Sequence, residues 1–450
     1  MIHDRRFASY RTCVVLAGAL GLAVSVASGA ALAGAFFIPQ QSISGLGRAF
    51  AGGAAAATDA STAFSNPAGM TELTRAEATT GASLFNSRLS FSNAGSTAAT
   101  VGTGGAPVAY GGGDGGNPFA PQVVPNIYLA HPLMDRRLWL GLGITAPYGL
   151  ALKYDRDWFG RYDSVKSKLT VVNIGPSVAY ALDDLVSVGA GIDIQYAHAV
   201  LSNAVPDVLR VGGPSAGSDG YSELDGSDWS AGFNAGVLIK PLPSTRIGAH
   251  FRSGISHRLD GTSTISGLGG PLAAANGRRI GETDLDLPDI VSLAVAHKVH
   301  PGLTLLAEAQ WFNWSRFEEI RVKFDDGSPD QVIPQNYDDS IAVSVGFDYA
   351  LDDDLSLRGG FRYDQTPTVD AFRQTSVPDA DSYAVAVGAS YAPWDQVVVD
   401  LAYYYAWWDD IDIDVNRQFA FAPGVAGAVN VTGAGDSRSH IVGVNLRYRF

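Results

Sequence analysis

The residues best suited to binding chemistry lie between positions 150 and 168. Five basic side chains, Lys153, Arg156, Arg161, Lys166 and Lys168, alternate there with Leu150, Leu152, Tyr154, Trp158, Phe159 and Tyr162. An apolar groove with a cation at its edge suits a molecule that has a long apolar body and a carboxylate. A solvated loop, or one that pairs with lipopolysaccharide phosphates, has the same composition. We predict ligand contacts from Leu150, Trp158, Phe159, Arg161 and Lys168.

Other groups of reactive side chains offer little for catalysis or metal binding. The seven histidines that follow residue 33 show no metal-ligand spacing. A hydrolase would need a nucleophile with a histidine in register, and no such pair is evident. Asp409, Asp410, Asp412 and Asp414 could hold a divalent cation, but we interpret them as a solvated strand edge. We therefore expect no catalytic residues, no metal and no cofactor.

Residues 1–33 have the features of a secretory signal peptide. Arg5, Arg6 and Arg11 precede an apolar run over residues 14–26, and Ala31-Leu32-Ala33 forms a small-x-small cleavage site. Cys13, the single cysteine, lies in this segment, so the exported chain can form no disulfide. The net charge of −14 argues against nucleic acid as a partner.

The last ten residues alternate between apolar and polar side chains. Val442, Val444, Leu446, Tyr448 and Phe450 fall on one face of a strand, and the intervening residues are glycine or polar. No apolar stretch of 18 residues follows residue 33, so any membrane crossing has to use strands. Such a terminal strand is typical of an outer-membrane β-barrel, whose terminal aromatic residue we expect to engage the barrel-assembly machinery.

Alternating strands and turns predict an all-β fold over residues 75–450. Fourteen strands are expected, including 136–146 as the third and 438–450 as the last. Six short turns alternate with seven long loops, the last loop at 412–437, as in an antiparallel transmembrane β-barrel. Residues 34–74 are rich in Ala, Gly and Ser and lack this alternation. We interpret them as a small N-terminal hatch, or plug, of short helices inside the barrel.

Several motifs resemble the long-chain fatty acid outer-membrane transporter (FadL) family. The hatch carries Ser44-Gly45-Leu46-Gly47-Arg48, Asp59-Ala60 and Asn66-Pro67-Ala68. Weaker matches follow in family order, among them Val124-Pro125-Asn126, Gly143 to Leu150, Trp158-x-Gly160-Arg161-Tyr162, Tyr363 to Pro367 and the terminal Phe450. The resemblance covers essentially the whole exported chain.

The resemblance implies a 14-stranded barrel in which extracellular loops capture hydrophobic molecules. The molecules then leave sideways into the outer membrane through a gap in the barrel wall. It implies hatch or gate roles for Ser44, Gly45, Gly47, Arg48, Asn66, Pro67 and Ala68, and places the gap on the third strand, near Gly141, Gly143 and Pro147. It also brings Phe36 and Phe37 to the ligand pocket.

The function expected on this basis is passive transport of long-chain fatty acids by a monomer in the Gram-negative outer membrane. Uptake of aromatic hydrocarbons by the same route is the nearest alternative, and an outer-membrane lipid enzyme is a more distant one. The loops could also act as an adhesin or a phage receptor. Outer-membrane lipid and lipopolysaccharide are the expected surroundings.

Overall fold

The computed structural model describes residues 34–450, and the predicted signal peptide of residues 1–33 lies outside this range. The chain forms one antiparallel sheet of 14 barrel strands that closes on itself. Closure occurs because the first strand, Glu77–Asn93, pairs with the second strand on one side and with the last strand on the other. The predicted strand number is confirmed.

The sheet, together with the loops that extend it, contains 21 hydrogen-bonded segments. In chain order these are β1 Glu77–Asn93, β2 Thr97–Thr100, β3 Pro107–Ala109, β4 Gln122–Leu133, β5 Leu138–Lys153, β6 Lys166–Ala181, β7 Val186–Val205, β8 Gly220–Leu242, β9 Thr245–Arg252, β10 Ser256–Ser266, β11 Gly277–Asp286, β12 Ile290–His300, β13 Leu303–Phe312, β14 Glu319–Phe324, β15 Gln331–Pro334, β16 Ser340–Ala350, β17 Leu355–Asp364, β18 Ser382–Trp394, β19 Val397–Trp408, β20 Ile411–Ala422 and β21 Val425–Arg449. Four barrel strands are interrupted and consist of two segments each: β9 with β10, β11 with β12, β13 with β14, and β19 with β20. Segments β2, β3 and β15 belong to loops.

The alternation of side chains explains the two faces of the wall. Along β21, Val442, Val444 and Leu446 are exposed on the outer face, whereas Asn445 and Arg447 are buried on the inner face. An apolar outer surface can contact lipid because the main-chain groups of the wall pair between strands along most of its circumference. Among residues 34–450 no helix is long and apolar enough to cross a membrane.

Two predicted boundaries differ from the structure. Residues 412–437, predicted as a loop, form most of the hairpin of β20 and β21, which turns at Pro423-Gly424. The apolar residues Ile411, Ile413 and Val415 continue the alternation through the aspartates that suggested a loop. The third strand does not end at Ala146 but continues past Pro147 to Lys153, because a bulge accommodates the proline.

Short helices of residues 43–65 pack against the inner face of the barrel. They are α1 Ile43–Leu46, α2 Gly53–Ala56 and α3 Thr62–Ser65, followed by the 3-10 helix η1 Pro67–Glu72; the loops add η2 Val101–Thr103, η3 Met134–Arg136, η4 Gly270–Ala275 and η5 Trp314–Arg316. Helix α1 contacts β18, β19 and β21, α2 contacts β9 and β12, and η1 contacts β6, β7 and β8. The N-terminal segment therefore touches strands around most of the barrel.

Candidate functional site

A largely apolar cavity lies above the N-terminal segment and encloses roughly 900 Å³, including its open mouth. Its walls come from seven strand segments, from loop residues near Phe317, Gln335 and Val377, and from the segment before α1. The apolar lining comprises Phe36, Leu150, Leu169, Ala199, Leu201, Leu224, Leu259, Leu285, Phe317, Ile320, Val322 and Val377. This size and lining are typical of a site for a small hydrophobic molecule.

Lys168 is the one basic residue that lines this cavity, which also contains Asp225, Glu282 and Asp284. It lies on β6, between Ala151 of β5 and Val200 of β7. Alternation along β6 turns the side chain of Lys168 to the face opposite Ser167 and Leu169, whose side chains face the cavity. The ammonium group of Lys168 therefore lies outside the apolar interior.

Phe36 and Phe37 close the lower end of the cavity. The ring of Phe36 meets Trp314 edge-on at 4.8 Å between centroids and Phe317 at 5.7 Å. Phe37 packs against Phe312 at 5.1 Å and Tyr148 at 5.5 Å. Phe36 faces the apolar cavity, whereas Phe37 lines a second, more polar space of roughly 780 Å³ between the short helices and the wall. The two rings therefore separate an upper compartment from a lower one.

The hydrogen-bonded ladder between the second and third barrel strands is incomplete. Pairing of β4 with β5 runs from Leu133 and Leu138 to Ile127 and Ile144 and stops there. Beyond that point β1 is the one barrel strand that pairs with β4, and β6 is the one barrel strand that pairs with β5, across a bulge between Thr145 and Tyr148. A wall cavity of roughly 1200 Å³ opens where the two strands part.

The N-terminal segment takes the place of the missing strand neighbour. The Ile38 amide donates to the carbonyl of Pro147 at 2.8 Å, and the Gly149 amide donates to the carbonyl of Phe36 at 2.9 Å. The side chain of Gln41 pairs with both main-chain groups of Ala146, at 3.0 and 2.8 Å. The interrupted part of β5 is therefore satisfied by residues 36–41 instead of by β4.

The predicted gap residues occupy different parts of the third strand. Pro147 lies within the bulge. Gly141 and Gly143 lie before it, in the regularly paired part opposite Ala130 and Tyr128. A Cβ atom on Gly143 would come within 3.1 Å of the Tyr128 ring, so glycine allows this ring to lie flat against β5. The interruption itself is centred on Ala146 and Pro147.

Polar contacts anchor the short helices to the wall. Arg48 donates to Asp348 of β16 at 3.1 Å. Ser44 donates to Asp59 at 2.5 Å. Gly47 lies so close to Gly388 of β18 that an added Cβ would approach the Gly388 Cα to 3.0 Å. The motif Ser44-Gly45-Leu46-Gly47-Arg48 therefore combines close backbone packing with an ion pair to the barrel.

Asn66 joins two of the short helices to the sixth barrel strand. Its Nδ2 donates to the carbonyls of Ala54 at 2.8 Å and Val237 at 3.0 Å, and its Oδ1 accepts from the Ala68 amide at 3.1 Å. Pro67 follows as the first residue of η1, where a missing amide proton costs nothing. Asn66-Pro67-Ala68 thus forms a buried, fully bonded turn.

The aromatic and basic residues of the loop after β5 pack mainly against one another. Trp158 stacks on Tyr154 at 4.0 Å between centroids, and Phe159 lies beside it. Arg161 is buried and paired with Asp219 at 2.9 Å. Of the five residues predicted to contact ligand in this region, only Leu150 and Lys168 line the apolar cavity.

Sequence reasoning missed Gln41, Asn126, Thr145, Trp314 and Phe317 as parts of the site. Trp314 and Phe317 lie in the break between β13 and β14, where period-2 alternation gives no guidance. Gln41 lies three residues after the Phe36-Phe37-Ile38 run. An amide side chain so close to an apolar run is the sequence signal that could have marked it.

Comparison with known proteins decides the family. Residues 24–450 match the family described as "Outer membrane protein transport protein (OMPP1/FadL/TodX)". The chain belongs to this family. It is therefore an outer-membrane transport protein of the Gram-negative type, as the sequence predicted.

Individual family members are similar over most of their length. Outer membrane protein P1 of Haemophilus influenzae is 29% identical, covering 96% of this chain and 98% of its own. The long-chain fatty acid transport protein of Salmonella typhi is 27% identical, covering 83% and 87%. The crystal structure of a Pseudomonas aeruginosa FadL homologue superposes with a TM-score of 0.82 at 25% identity, covering 92% and 100%. The Ralstonia pickettii toluene transporter TbuX shares the fold, with a TM-score of 0.63 at 21% identity over 90% and 98%.

Proposed function

We propose that this protein carries long-chain fatty acids passively across the outer membrane. The apolar cavity carries this proposal, because a cavity of this size, lined by aliphatic and aromatic side chains, suits a long acyl chain. The relatives named as long-chain fatty acid transport proteins support the same cargo. Extracellular loops admit the acid, and the cavity holds it above Phe36 and Phe37.

The energetics favour a route that never returns the acyl chain to water. Each methylene removed from water gains about 0.8 kcal/mol, so a chain of a dozen or more carbons gains on the order of 10 kcal/mol before entropy is counted. A water-filled pore would forfeit that gain. A path from the apolar cavity to the wall gap retains it, because the wall gap opens toward the bilayer.

Displacement of Phe36 and Phe37 is the step that connects the cavity to the gap. These two residues separate the upper and lower compartments, and the same segment satisfies β5 at its bulge. A ligand that shifts residues 36–41 therefore frees Ala146 and Pro147 in the same movement. The helices anchored by Arg48 and Asn66 need not leave the barrel.

Uptake of labelled oleate by cells that lack their own fatty acid transporter tests the function. Cells that make this protein should accumulate oleate, and cells with an empty vector should not. The variant Ala146→Arg, which places a large cation in the gap, should abolish uptake while the protein stays folded in the outer membrane. Absence of uptake by the folded, unaltered protein would refute the fatty acid proposal.

Aromatic hydrocarbons are the second candidate cargo, since the apolar lining of the cavity would accept them equally well. Uptake of labelled toluene, together with no oleate uptake, would favour this alternative. We further propose that the protein has no enzymatic activity, works as a monomer, contacts lipopolysaccharide through its loops and reaches the barrel-assembly machinery through the strand that ends at Phe450.

A further inference from the structure

Three polar side chains in the wall gap have no explanation in the fold. Asn126, Thr145 and Asn445 line the wall cavity and are only 2, 2 and 3% exposed. Within residues 34–450, the Nδ2 of Asn126, the Oγ1 of Thr145 and the Oδ1 of Asn445 find no hydrogen-bond partner. A buried polar atom left unpaired costs about 1–3 kcal/mol, so three in one cavity are unusual.

The strand register brings the two amides together. Gly81 of β1 pairs with Asn126 on one side and with Asn445 on the other. A Cβ atom on Gly81 would lie 2.9 Å from the Oδ1 of Asn445 and 3.1 Å from the Oδ1 of Asn126. Glycine at this position therefore lets both amide groups approach the backbone of β1 from its two sides.

The orientation of one amide is fixed by the wall. The Nδ2 of Asn445 donates to the buried carboxylate of Asp400 at 2.9 Å, so its Oδ1 is presented as an acceptor. The Nδ2 of Asn126 offers an unpaired donor, and the hydroxyl of Thr145 can act as a donor or as an acceptor. This set matches a group that donates one hydrogen bond and accepts another.

We propose that these three residues form a subsite for the protonated carboxyl head of the departing fatty acid. The inference rests on the proposed function. The acid O–H donates to Asn445, and the acid carbonyl accepts from Asn126 or Thr145. None of the residues that line the wall cavity is ionisable, so the site offers nothing to compensate a bare carboxylate. The proton comes from solvent.

This subsite gives the head group a polar contact at the end of an apolar route. The upper cavity surrounds the acyl chain, and the amides hold the neutral acid in the wall. The outer half of the wall cavity is lined by Val123, Ile127, Ile144, Val444 and Leu446. The head group therefore rests on polar atoms while the tail already lies against side chains that face lipid.

Photo-crosslinking with purified protein in lipid nanodiscs tests the inference. The probes are an 18-carbon fatty acid with a diazirine next to the carboxyl group and its methyl ester. The acid probe should label peptides that contain residue 126 or 145, and the double variant Asn126→Leu, Thr145→Val should reduce this labelling at least fivefold. Labelling near Phe36 and Leu150 in the upper cavity should change less than twofold.

Ser83→Ala is the matched control. Ser83 lies on the same face of β1 as Gly81, and its hydroxyl is also buried and unpaired, but it does not line the wall cavity. This variant should be labelled as the unaltered protein is.

Wall labelling that is equal for acid and ester, or unaffected by the double variant, would overturn the subsite. Labelling of the upper cavity without the wall would overturn it too while leaving the proposed function intact. No labelling at either place would refute the proposed function itself. The single variant Thr145→Val repeats the test if the double variant fails to fold.

Discussion

The side-chain amide of Gln41 pairs with the main chain of Ala146 as a neighbouring strand would. Its Oε1 accepts from the Ala146 amide at 3.0 Å, and its Nε2 donates to the Ala146 carbonyl at 2.8 Å. The same Nε2 also donates to Ile38, and the Gln41 carbonyl accepts from the Tyr128 hydroxyl at 2.7 Å. One residue thus holds the second strand, the third strand and the N-terminal segment together at the gap.

Replacing Gln41 by Ala should loosen the third strand at its bulge. Two main-chain groups of Ala146 lose their partner, and each hydrogen bond of this kind contributes about 0.5–1.5 kcal/mol. Hydrogen exchange in peptides that cover residues 144–152 should speed up about tenfold. Gln40→Ala is the control, because Gln40 is also buried but its Oε1 has no partner in the described part of the chain. Equal exchange in the two variants would contradict this role.

Replacing Lys168 by Met tests the sequence-based prediction that this cation contacts ligand. Its side chain faces away from the cavity, so the affinity for oleate and for methyl oleate should each change by less than about twofold. Tryptophan fluorescence or calorimetry measures both affinities. Leu169→Asp, which places a charge on the cavity face of the same strand, should weaken binding of both ligands. A loss in Lys168→Met that is selective for oleate would show that the ammonium group does reach the carboxylate.

Replacing Arg161 by Met should disturb the loop and not the recognition of a carboxylate. Arg161 is committed to Asp219 and to the carbonyls of Gly111 and Trp158. We expect faster proteolysis of the loop over residues 154–165 and equal loss of affinity for oleate and its ester. A selective loss for the acid would instead support the sequence-based prediction that Arg161 contacts ligand.

Replacing Asn66 by Ala should detach the turn after α3 from the wall. Three hydrogen bonds disappear, and the carbonyls of Ala54 and Val237 lose their donor. The expected cost is about 2–4 kcal/mol of local stability. Hydrogen exchange of residues 53–70 measures it. Ser65→Ala, which removes a hydroxyl next to the same turn, should leave exchange unchanged; similar effects of both variants would refute a specific role for the Asn66 amide.

Acidification should loosen α1 through Asp59. Burial acts to raise the pKa of Asp59, but the Arg447 charge and hydrogen bonds from Ser44 and Ser61 outweigh it and hold the pKa below its usual value of 3.8. Since the folded state favours the carboxylate, this contribution is present above about pH 4 and is lost as the pH falls through the lowered pKa. Exchange of residues 42–62, corrected for intrinsic rates, should increase below pH 4. Asp59→Asn should remove that dependence, and an unchanged pH profile would contradict it.

Strand number and the identity of the inner and outer faces were predictable because alternation along each strand is local. The gap was predictable only in part. Pro147 marks the third strand, but the loss of pairing depends on where β4 turns away from β5, which no local pattern records. Arg161 was predicted to contact ligand because a guanidinium group can bind an anion. In the structure it pairs with Asp219, 58 residues later in the chain, and no local pattern indicates that partner. Asn126 and Asn445 become neighbours only when the first and last strands close the barrel.

The anchors of the short helices are distributed around the circumference. Arg48 is fixed to β16, Asn66 to β8, and the carbonyl of Thr58 to Arg447 of β21. The proposed movement of residues 36–41 against β5 would leave all three in place. On that route a cell would keep its permeability barrier to sugars, ions and polar antibiotics even while a lipid passed through the wall.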